Sequence, residues 1–313
     1  MLIHPWLVLA TLGLEAAIGY PRWLYRSVRH PVVWIGGLIA LFERGLNPPQ
    51  MPFEARRWLG VGALIAVCAL AGGAGWAVAA VPLPVPVISV LVVVVATSGL
   101  AQRSLHDHVA VVAAALREGD LTAARLKVGR IVGRDTAGLD ADGVAKAAIE
   151  SLAESFSDGV VAPAFWFLIG GLPGLFVYKA VNTADSMIGH REARWRAFGW
   201  ASARFDDLLN LVPARLAGAL IAIAGWGGWR PMLRDAKRHA SPNAGWPEAA
   251  MAGVLHRTLG GPATYDGEVL ARPTLGDGPA PTAADLDRAL RLYIVACGLL
   301  WALFLLGALA WRR

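Results

Sequence analysis

Apolar residues run along this chain in long blocks rather than in the alternation of a half-buried strand. Residues 58–102 contain no charged side chain, which leaves room for two membrane-crossing helices of about 20 residues each. Pro82, Pro84 and Pro86 cluster near the middle of the block and predict the turn of a helical hairpin. Residues 292–311 predict a single clean span. Residues 159–178 are equally uncharged, but Gly170-Gly171 and Pro173-Gly174 interrupt them. They predict a kinked span or a re-entrant pair of half-helices. Residues 208–229 form a further apolar stretch, interrupted by Pro213 and Arg215. Irregular backbone at membrane depth is tolerated only where protein buries it or where it lines a wet cavity. Residues 2–18 are apolar apart from Glu15, with no basic leader and no small-residue cleavage site, so a retained helix is expected rather than a removed signal peptide. Residues 31–42 are apolar but too short to span, which fits an interfacial or core helix.

Two polar regions separate these blocks. In residues 103–158, Leu105, Val109, Val112 and Leu116 recur at helical spacing. Asp120 stands where the N-cap of a helix over 121–132 belongs, and Asp142 where a further helix to about residue 157 would start. Residues 230–288 are rich in Gly and Pro and read as a largely irregular loop with short helices. The expected fold class is all-α, a polytopic integral membrane protein with broken or re-entrant helices and cytoplasmic helical loops. As one membrane-embedded domain it divides into N-terminal helices and hairpin (1–102), a cytoplasmic helical region (103–158), a membrane core (159–229), a cytoplasmic loop (230–288) and a C-terminal membrane helix (289–313).

Composition narrows the class further. Hydrophobic residues make up 56% and charged residues 17%, against roughly 25% charged in average soluble proteins. Mean hydropathy is +0.50. A disordered chain needs the opposite balance, and an ordinary soluble enzyme fits poorly. Lys and Arg number 29 and Asp and Glu 23, for a net charge of +6. Such an excess fits basic residues gathered in cytoplasmic loops, and no nucleic-acid partner is expected. Arg56 and Arg57 precede the hairpin and Arg103 follows it, which puts both its ends in the cytoplasm. Residues 191–204 and 230–238 also carry basic clusters and want the same side. One complete span between them forbids that; a broken helix allows it. Cys68 and Cys297 lie in apolar stretches and form neither a disulfide framework nor a metal site.

Candidate chemistry concentrates between residues 150 and 215. Glu150, Glu154 and Asp158 are four apart and share a face if their helix continues that far. A solvated face is the ordinary reading of such a run. This one leads into an apolar segment, where Mg²⁺ or a cationic partner would relieve the repulsion. Lys179, Asn182 and Asp185 follow an apolar stretch, and ionisable groups near membrane depth are costly and mark functional sites. Lys179 suits a phosphate and Asp185 suits Mg²⁺; an interfacial Lys paired with an Asp is the competing structural reading. Asp206 and Asn210 share a face, with Asp207 and Arg215 close by. Pro247 and Glu248 open a helix after Asn243-Ala244-Gly245-Trp246, and a helix N-terminus binds anions readily. There is no Walker motif and no GxGxxG, so a soluble nucleotide fold is not supported. The seven histidines lack zinc spacing.

These residues resemble the adenosylcobinamide-phosphate synthases of cobalamin biosynthesis, the CobD/CbiB family of multi-pass membrane proteins. The resemblance covers most of the chain. It runs through His30-Pro31-Val32 with Trp34-Ile35-Gly36, Gly133-Arg134-Asp135-Thr136, Ala148-Ile149-Glu150-Ser151 with Ala153-Glu154, and Asp158-Gly159 with Ala162-Pro163. It continues in Tyr178-Lys179, Asn182-Thr183, Asp185-Ser186-Met187, Ala203-Arg204, Asp206-Asp207, Asn210 and Pro213-Ala214-Arg215. Ser241-Pro242-Asn243, Gly245-Trp246-Pro247-Glu248 and Leu259-Gly260-Gly261-Pro262 complete it. Two positions depart from the pattern: Tyr20 stands where the family carries an acid before Pro21, and Ser155 stands where it usually has Asn.

The resemblance implies an ATP-driven amide bond between adenosylcobyric acid and aminopropanol phosphate or a related amino alcohol. It implies Asp158, Asp185, Asp206 and Asp207 around Mg²⁺, and Lys179, Arg204 and Arg215 on phosphate. Glu150 and Glu154 would serve the metal or the incoming ammonium, with Asn182 and Asn210 in the same catalytic set. His30, Asn243, Trp246 and Glu248 would bind substrate. Its partners would be the corrinoid, the amino-alcohol phosphate, the lipid bilayer, other late enzymes of the pathway and a second copy of the chain. Its place would be the inner cell membrane with the active face toward the cytoplasm. Two other readings share the residue pattern: a Mg²⁺-dependent prenyltransferase-like membrane enzyme, and a non-catalytic membrane sensor or assembly partner.

Overall fold

The computed structural model describes residues 4–190, 192–265 and 267–311, with backbone alone at Arg22, Leu24 and Tyr25. In chain order the helices are α1 (Pro5–Ile18), α2 (Arg22–Val28), α3 (Pro31–Leu46), α4 (Phe53–Ala79), α5 (Val85–Thr97), α6 (Gln102–Arg117), α7 (Leu121–Val128) and α8 (Ala141–Phe156). A π-helical turn (Ser157–Val161) leads into α9 (Ala162–Ile188). Then come α10 (Trp200–Leu209), α11 (Leu211–Ala224), α12 (Trp229–Asp235), α13 (Gly245–Leu255) and α14 (Ala283–Ala310). Four short strands lie before α14: β1 (Leu259–Gly260), β2 (Ala263–Tyr265), β3 (Glu268–Leu270) and β4 (Thr274–Leu275). Among the described residues four helical stretches are long and apolar enough to cross a membrane: Phe53–Ala79, Val85–Arg117, Ala141–Ile188 and Ala283–Ala310. The α10–α11 pair makes a fifth if its two helices form one broken span. Only 22% of the most apolar window of α4 is buried. That outward apolar surface suits lipid, not water. The protein is an all-α polytopic membrane protein.

The chain packs into two compact units, one of Met1–Ala101, Ala162–Asn210 and Phe304–Arg313, the other of Gln102–Val161 and Leu211–Leu303. In the first unit the expected hairpin is present as α4 and α5, and the prolines start the second helix, with Pro84 at its N-cap. Pro31 opens α3 and His30 caps it, accepting the Val32 N–H at 3.2 Å. Ile39, Val67, Tyr178, Val181 and Phe198 form the core between α3, α4 and α9. The expected kink lies inside α9: Gly171 takes φ 63° and ψ −155°, and Pro173 follows it. Only glycine adopts such a conformation readily. The backbone of α4 closes over this break, since a Cβ on Gly75 would lie 2.7 Å from the Leu172 carbonyl carbon.

In the second unit α6 packs on α7 and α8, and α11 on α12 and α13. Asp120 caps α7 as expected, but α7 stops at Val128. Asp140, not Asp142, caps α8, accepting the Gly143 N–H at 2.8 Å. Asp142 sits in the first turn, where its charge suits the helix dipole. The region expected to be largely irregular holds two nested antiparallel ladders. Leu259 faces Leu275 in the outer one, and Ala263 faces Leu270 in the inner one. Strands of two or three residues are too short to show alternation, which explains why the sequence hid them. The helix of the 208–229 stretch breaks at Asn210 rather than at Pro213. Pro213 falls in the first turn of α11, where its missing N–H costs little.

Candidate functional site

In the first unit, α9 and α10 place a polar rung among apolar side chains. Asp206 is 8% exposed. Asn182 donates from Nδ2 to its Oδ1 (3.3 Å), and Asn210 donates from Nδ2 to its Oδ2 (3.0 Å). The Tyr178 hydroxyl donates to Asn210 Oδ1 at 3.1 Å and so orients that amide. Trp166 Nε1 donates to the Leu209 carbonyl and ties the end of α10 to α9. Lys179, half-buried one turn before Thr183, lies within electrostatic reach of Asp206 and of His30. Asp185 is half-buried in the last turn of α9, where its carbonyl accepts the Gly189 N–H. Asp207 is half-buried with Arg204 3.7 Å away, and Arg204 itself is exposed.

His30 joins this group from the start of α3. Burial, then the Lys179 charge, lowers its pKa to about 4, so the ring is neutral at pH 7. Its Nδ1 accepts a backbone N–H, which assigns the proton to Nε2. Tyr20 packs on the ring with centroids 4.5 Å apart, and its hydroxyl donates to the Arg29 carbonyl. Tyr20, at the position where the resemblance implied an acid, therefore packs against His30.

In the second unit the carboxylates meet guanidinium groups. Glu150 on α8 is 2% exposed. Its Oε2 meets Arg134, and Arg272 at 3.3 Å, while the Gly260 N–H donates to Oε1 at 2.7 Å. Glu248, in the first turn of α13, lies 3.7 Å from His239 and 3.8 Å from Arg272. Its Oε2 is buried without a hydrogen bond. Burial, with Glu150 and Glu154 nearby, holds its carboxyl well above the usual range and favours the protonated form. Glu154 is exposed on α8 and Asp158 half-buried in the π-turn. Glu150 and Glu154 keep their four-residue spacing on α8, and the wider turn that follows shifts the helical register at Asp158 alone. Arg215 sits over the Trp246 ring at 4.6 Å, and its Nη1 reaches Asn243 Oδ1 at 3.4 Å. Asp235, fully buried, accepts from Arg234 (2.6 and 2.8 Å), Arg238 (3.3 Å) and the Gly276 N–H (2.9 Å). These donors, Arg234 foremost, lower its pKa to about 2.

The residues singled out in the sequence thus gather as Lys179, Asn182, Asp206, Asn210 and His30 in one unit, and as Glu150 with Glu248 and Arg215 with Asn243 and Trp246 in the other. Among the described residues no group of three or more His, Cys, Asp or Glu side chains is disposed to hold a metal ion. The four aspartates are not a ready-made cage: both oxygens of Asp206 already accept amide hydrogens. Asp185 and Asp207 remain in number what Mg²⁺ usually takes from protein, one or two carboxylates completed by water and substrate phosphates. Sequence reasoning did not assign Arg134, Arg272, Lys146, His239 or Tyr178 to a site. Arg134 stood inside the Gly133–Thr136 motif, and Arg272 is the sole basic residue between Thr258 and Asp287.

The family model described as CobD/Cbib protein matches residues 8–293. The Cobalamin biosynthesis protein CobD of Rhodobacter capsulatus is 49% identical over 291 residues, 92% of each chain. The protein of the same name from Brucella suis biovar 1 is 45% identical over 314 residues, 95% of each. That of Geobacter metallireducens is 46% identical over 286 residues, 88% of each. No solved structure matches the chain.

Proposed function

Since the chain belongs to the CobD/Cbib protein family, we propose that it serves cobalamin biosynthesis as a membrane-bound ligase, joining adenosylcobyric acid to aminopropanol phosphate or a related amino alcohol with ATP. The observation that carries this reading is the polar rung of α9 and α10, where Lys179 lies beside a carboxylate held by neutral amides. The propionate carboxylate attacks the terminal phosphorus of ATP, the bond to ADP breaks, and an acyl phosphate forms. The amine then attacks the acyl carbon, phosphate leaves, and the amine gives up its proton as the amide forms. Amide, ADP and phosphate are the products.

Catalysis of phosphoryl transfer is mostly positioning and charge neutralisation. Lys179 would meet the transferring phosphoryl group. Asp206, fixed by Asn182 and Asn210, would hold the Lys179 ammonium in place. His30, neutral with its proton on Nε2, would donate one hydrogen bond without adding charge. Asp185 and Asp207 would hold Mg²⁺ together with the ATP phosphates, and that ion would neutralise phosphate charge. Arg215, stacked on Trp246, presents a planar guanidinium suited to a carboxylate or phosphate.

Purified protein in detergent with adenosylcobyric acid, aminopropanol phosphate and Mg-ATP should give the amide, detected by mass, with one ADP per bond. No amide, but turnover of an isoprenoid diphosphate without ATP, would replace this reading with a prenyltransferase. Because ATP is cytoplasmic, the working face belongs on the cytoplasmic side of the cell membrane. A single cysteine at Ser241 should then resist a membrane-impermeant thiol label on intact cells; strong labelling there would overturn the orientation.

A further inference from the structure

Glu150 and Glu248 lie beneath a layer of cations in the second unit. Side-chain exposure rises from Glu248 (1%) and Glu150 (3%) to Arg134 (10%) and Arg272 (17%). Lys146, half-buried, stands one helical turn before Glu150 on α8, so both lie on the same face. Glu150 takes one contact from each guanidinium through the same oxygen and spends its other oxygen on the Gly260 N–H. A guanidinium carries five N–H donors, so both arginines keep donors beyond those that meet the carboxylates. Protonation of Glu248, favoured by its burial, leaves the three cations facing the charges of Glu150 and of exposed Glu154.

The loop brings its backbone to the same group. Gly261 has φ +77°, which favours glycine, and it lies against Lys146: a Cβ there would meet Nζ at 3.4 Å, an ordinary contact distance. A carboxylate below and unspent donors above is the arrangement by which a protein fixes guanidinium groups for planar, bidentate recognition of an anion.

We propose that Arg134, Lys146 and Arg272 form an anion subsite that takes a phosphoryl group. Which phosphorylated substrate it receives rests on the ligase reading above; that it takes a phosphoryl anion does not.

The test uses the full chain in detergent with inorganic pyrophosphate as probe, in a Lys179→Met background that silences the first unit's phosphate group. Isothermal titration and thermal unfolding are both read, at matched ionic strength against chloride. Saturable binding with stabilisation is expected, weakened at least about tenfold by Lys146→Met and by Arg272→Gln, the scale of one charge-assisted hydrogen bond. Arg26→Gln, an exposed arginine of the first unit, should change nothing. Should Arg272→Gln fail to fold, Lys146→Met decides, because Lys146 is only half-buried. Lack of saturable binding, or equal affinity with and without Lys146, overturns the subsite and leaves the cluster as an internal ion-pair network. Amide formation assayed in parallel on chains that keep Lys179, with and without Lys146→Met, separates the two ideas. Lys146-dependent binding without ligation strikes the ligase reading alone; ligation without such binding strikes the subsite alone.

Discussion

Asp206 on α10 and Glu150 on α8 are both nearly buried carboxylates, yet different chemistry meets their oxygens. Asp206 receives two side-chain amides, one of them oriented by a tyrosine hydroxyl. Glu150 receives two guanidiniums and a backbone N–H. Neutral donors satisfy the lone pairs of Asp206 without cancelling its charge, which stays available to Lys179 and to whatever binds beside it. Guanidiniums cancel the charge of Glu150 where it stands. The first arrangement keeps an electrostatic field for a ligand. The second spends it on holding the β1–β4 loop and on aiming cations outward.

The largest effect should come from removing the anion of the second arrangement. Glu150→Ala leaves Arg134 and Arg272 partly buried without their counter-charge and should cost about 4 kcal/mol of stability, read by thermal or denaturant unfolding in detergent. A stability change below about 1 kcal/mol would erase the contrast, because surface-like pairs behave that way.

Next come the carboxylates proposed to work rather than to hold. Asp185→Asn and Asp207→Asn nearly keep shape and lose charge. Each should lower amide formation at least about 100-fold, roughly 3 kcal/mol of barrier, with little change in unfolding temperature. Near-normal turnover in both would remove them from the site.

Asp235 sharpens the second arrangement through pH. Its folded pKa, about 2, lies below the unfolded value of roughly 3.9. Its stabilisation is therefore full above the unfolded value and is lost as pH falls from there through about 2. Asp235→Asn should cost about 2 kcal/mol at pH 7, the scale of hydrogen bonds to a charged group, and should flatten the acid limb of the stability curve. An unchanged acid limb would count against the assignment.

Lys179→Arg tests the first arrangement more gently. Both side chains are cationic, so a mere interfacial anchor would tolerate the change. A phosphate-binding ammonium fixed beside Asp206 would not admit the planar fork. The apparent KM for ATP or the amino-alcohol phosphate should rise about tenfold, near 1.4 kcal/mol, with normal membrane insertion; Arg196→Lys, on the loop before α10, should change neither. The smallest effect belongs to Glu248→Gln. Replacing a protonated carboxyl by a neutral amide of like shape should alter stability by no more than about 1 kcal/mol. A loss of several kcal/mol would mean that Glu248 is ionised in the fold.

The sequence revealed most where side-chain type alone decides the outcome. The uncharged run over residues 58–102 with its prolines specified a hairpin, and Gly170-Gly171 marked the kink, because only glycine readily combines φ 63° with ψ −155° as Gly171 does. It revealed less where partners come from far along the chain. Arg134 and Arg272 reach Glu150 across 16 and 122 residues, and no local spacing announces such a meeting. The π-turn at Ser157–Val161 was likewise invisible, since it moves register without changing composition. The α9–α10 rung was half legible: Lys179, Asn182 and Asp206 stood out as polar groups in apolar surroundings, but the roles of Tyr178 and Trp166 as orienters depend on where α10 lands.

The break in α9 also sets a condition on how the protein is made. α4 is synthesised and inserted well before α9, so its Gly75 notch faces lipid until the later helix arrives. The peptide groups around Gly171 would each cost several kcal/mol if they met hydrocarbon unpaired. Docking on α4 covers that backbone, so α9 is shielded there only once the two helices have met. A side chain at Gly75, blocked by the Leu172 carbonyl carbon at 2.7 Å, would leave the nascent hairpin intact and strand α9 afterwards. Damage at that notch therefore belongs to biogenesis: it would show as a loss of assembled protein rather than as a changed kcat or KM of what assembles.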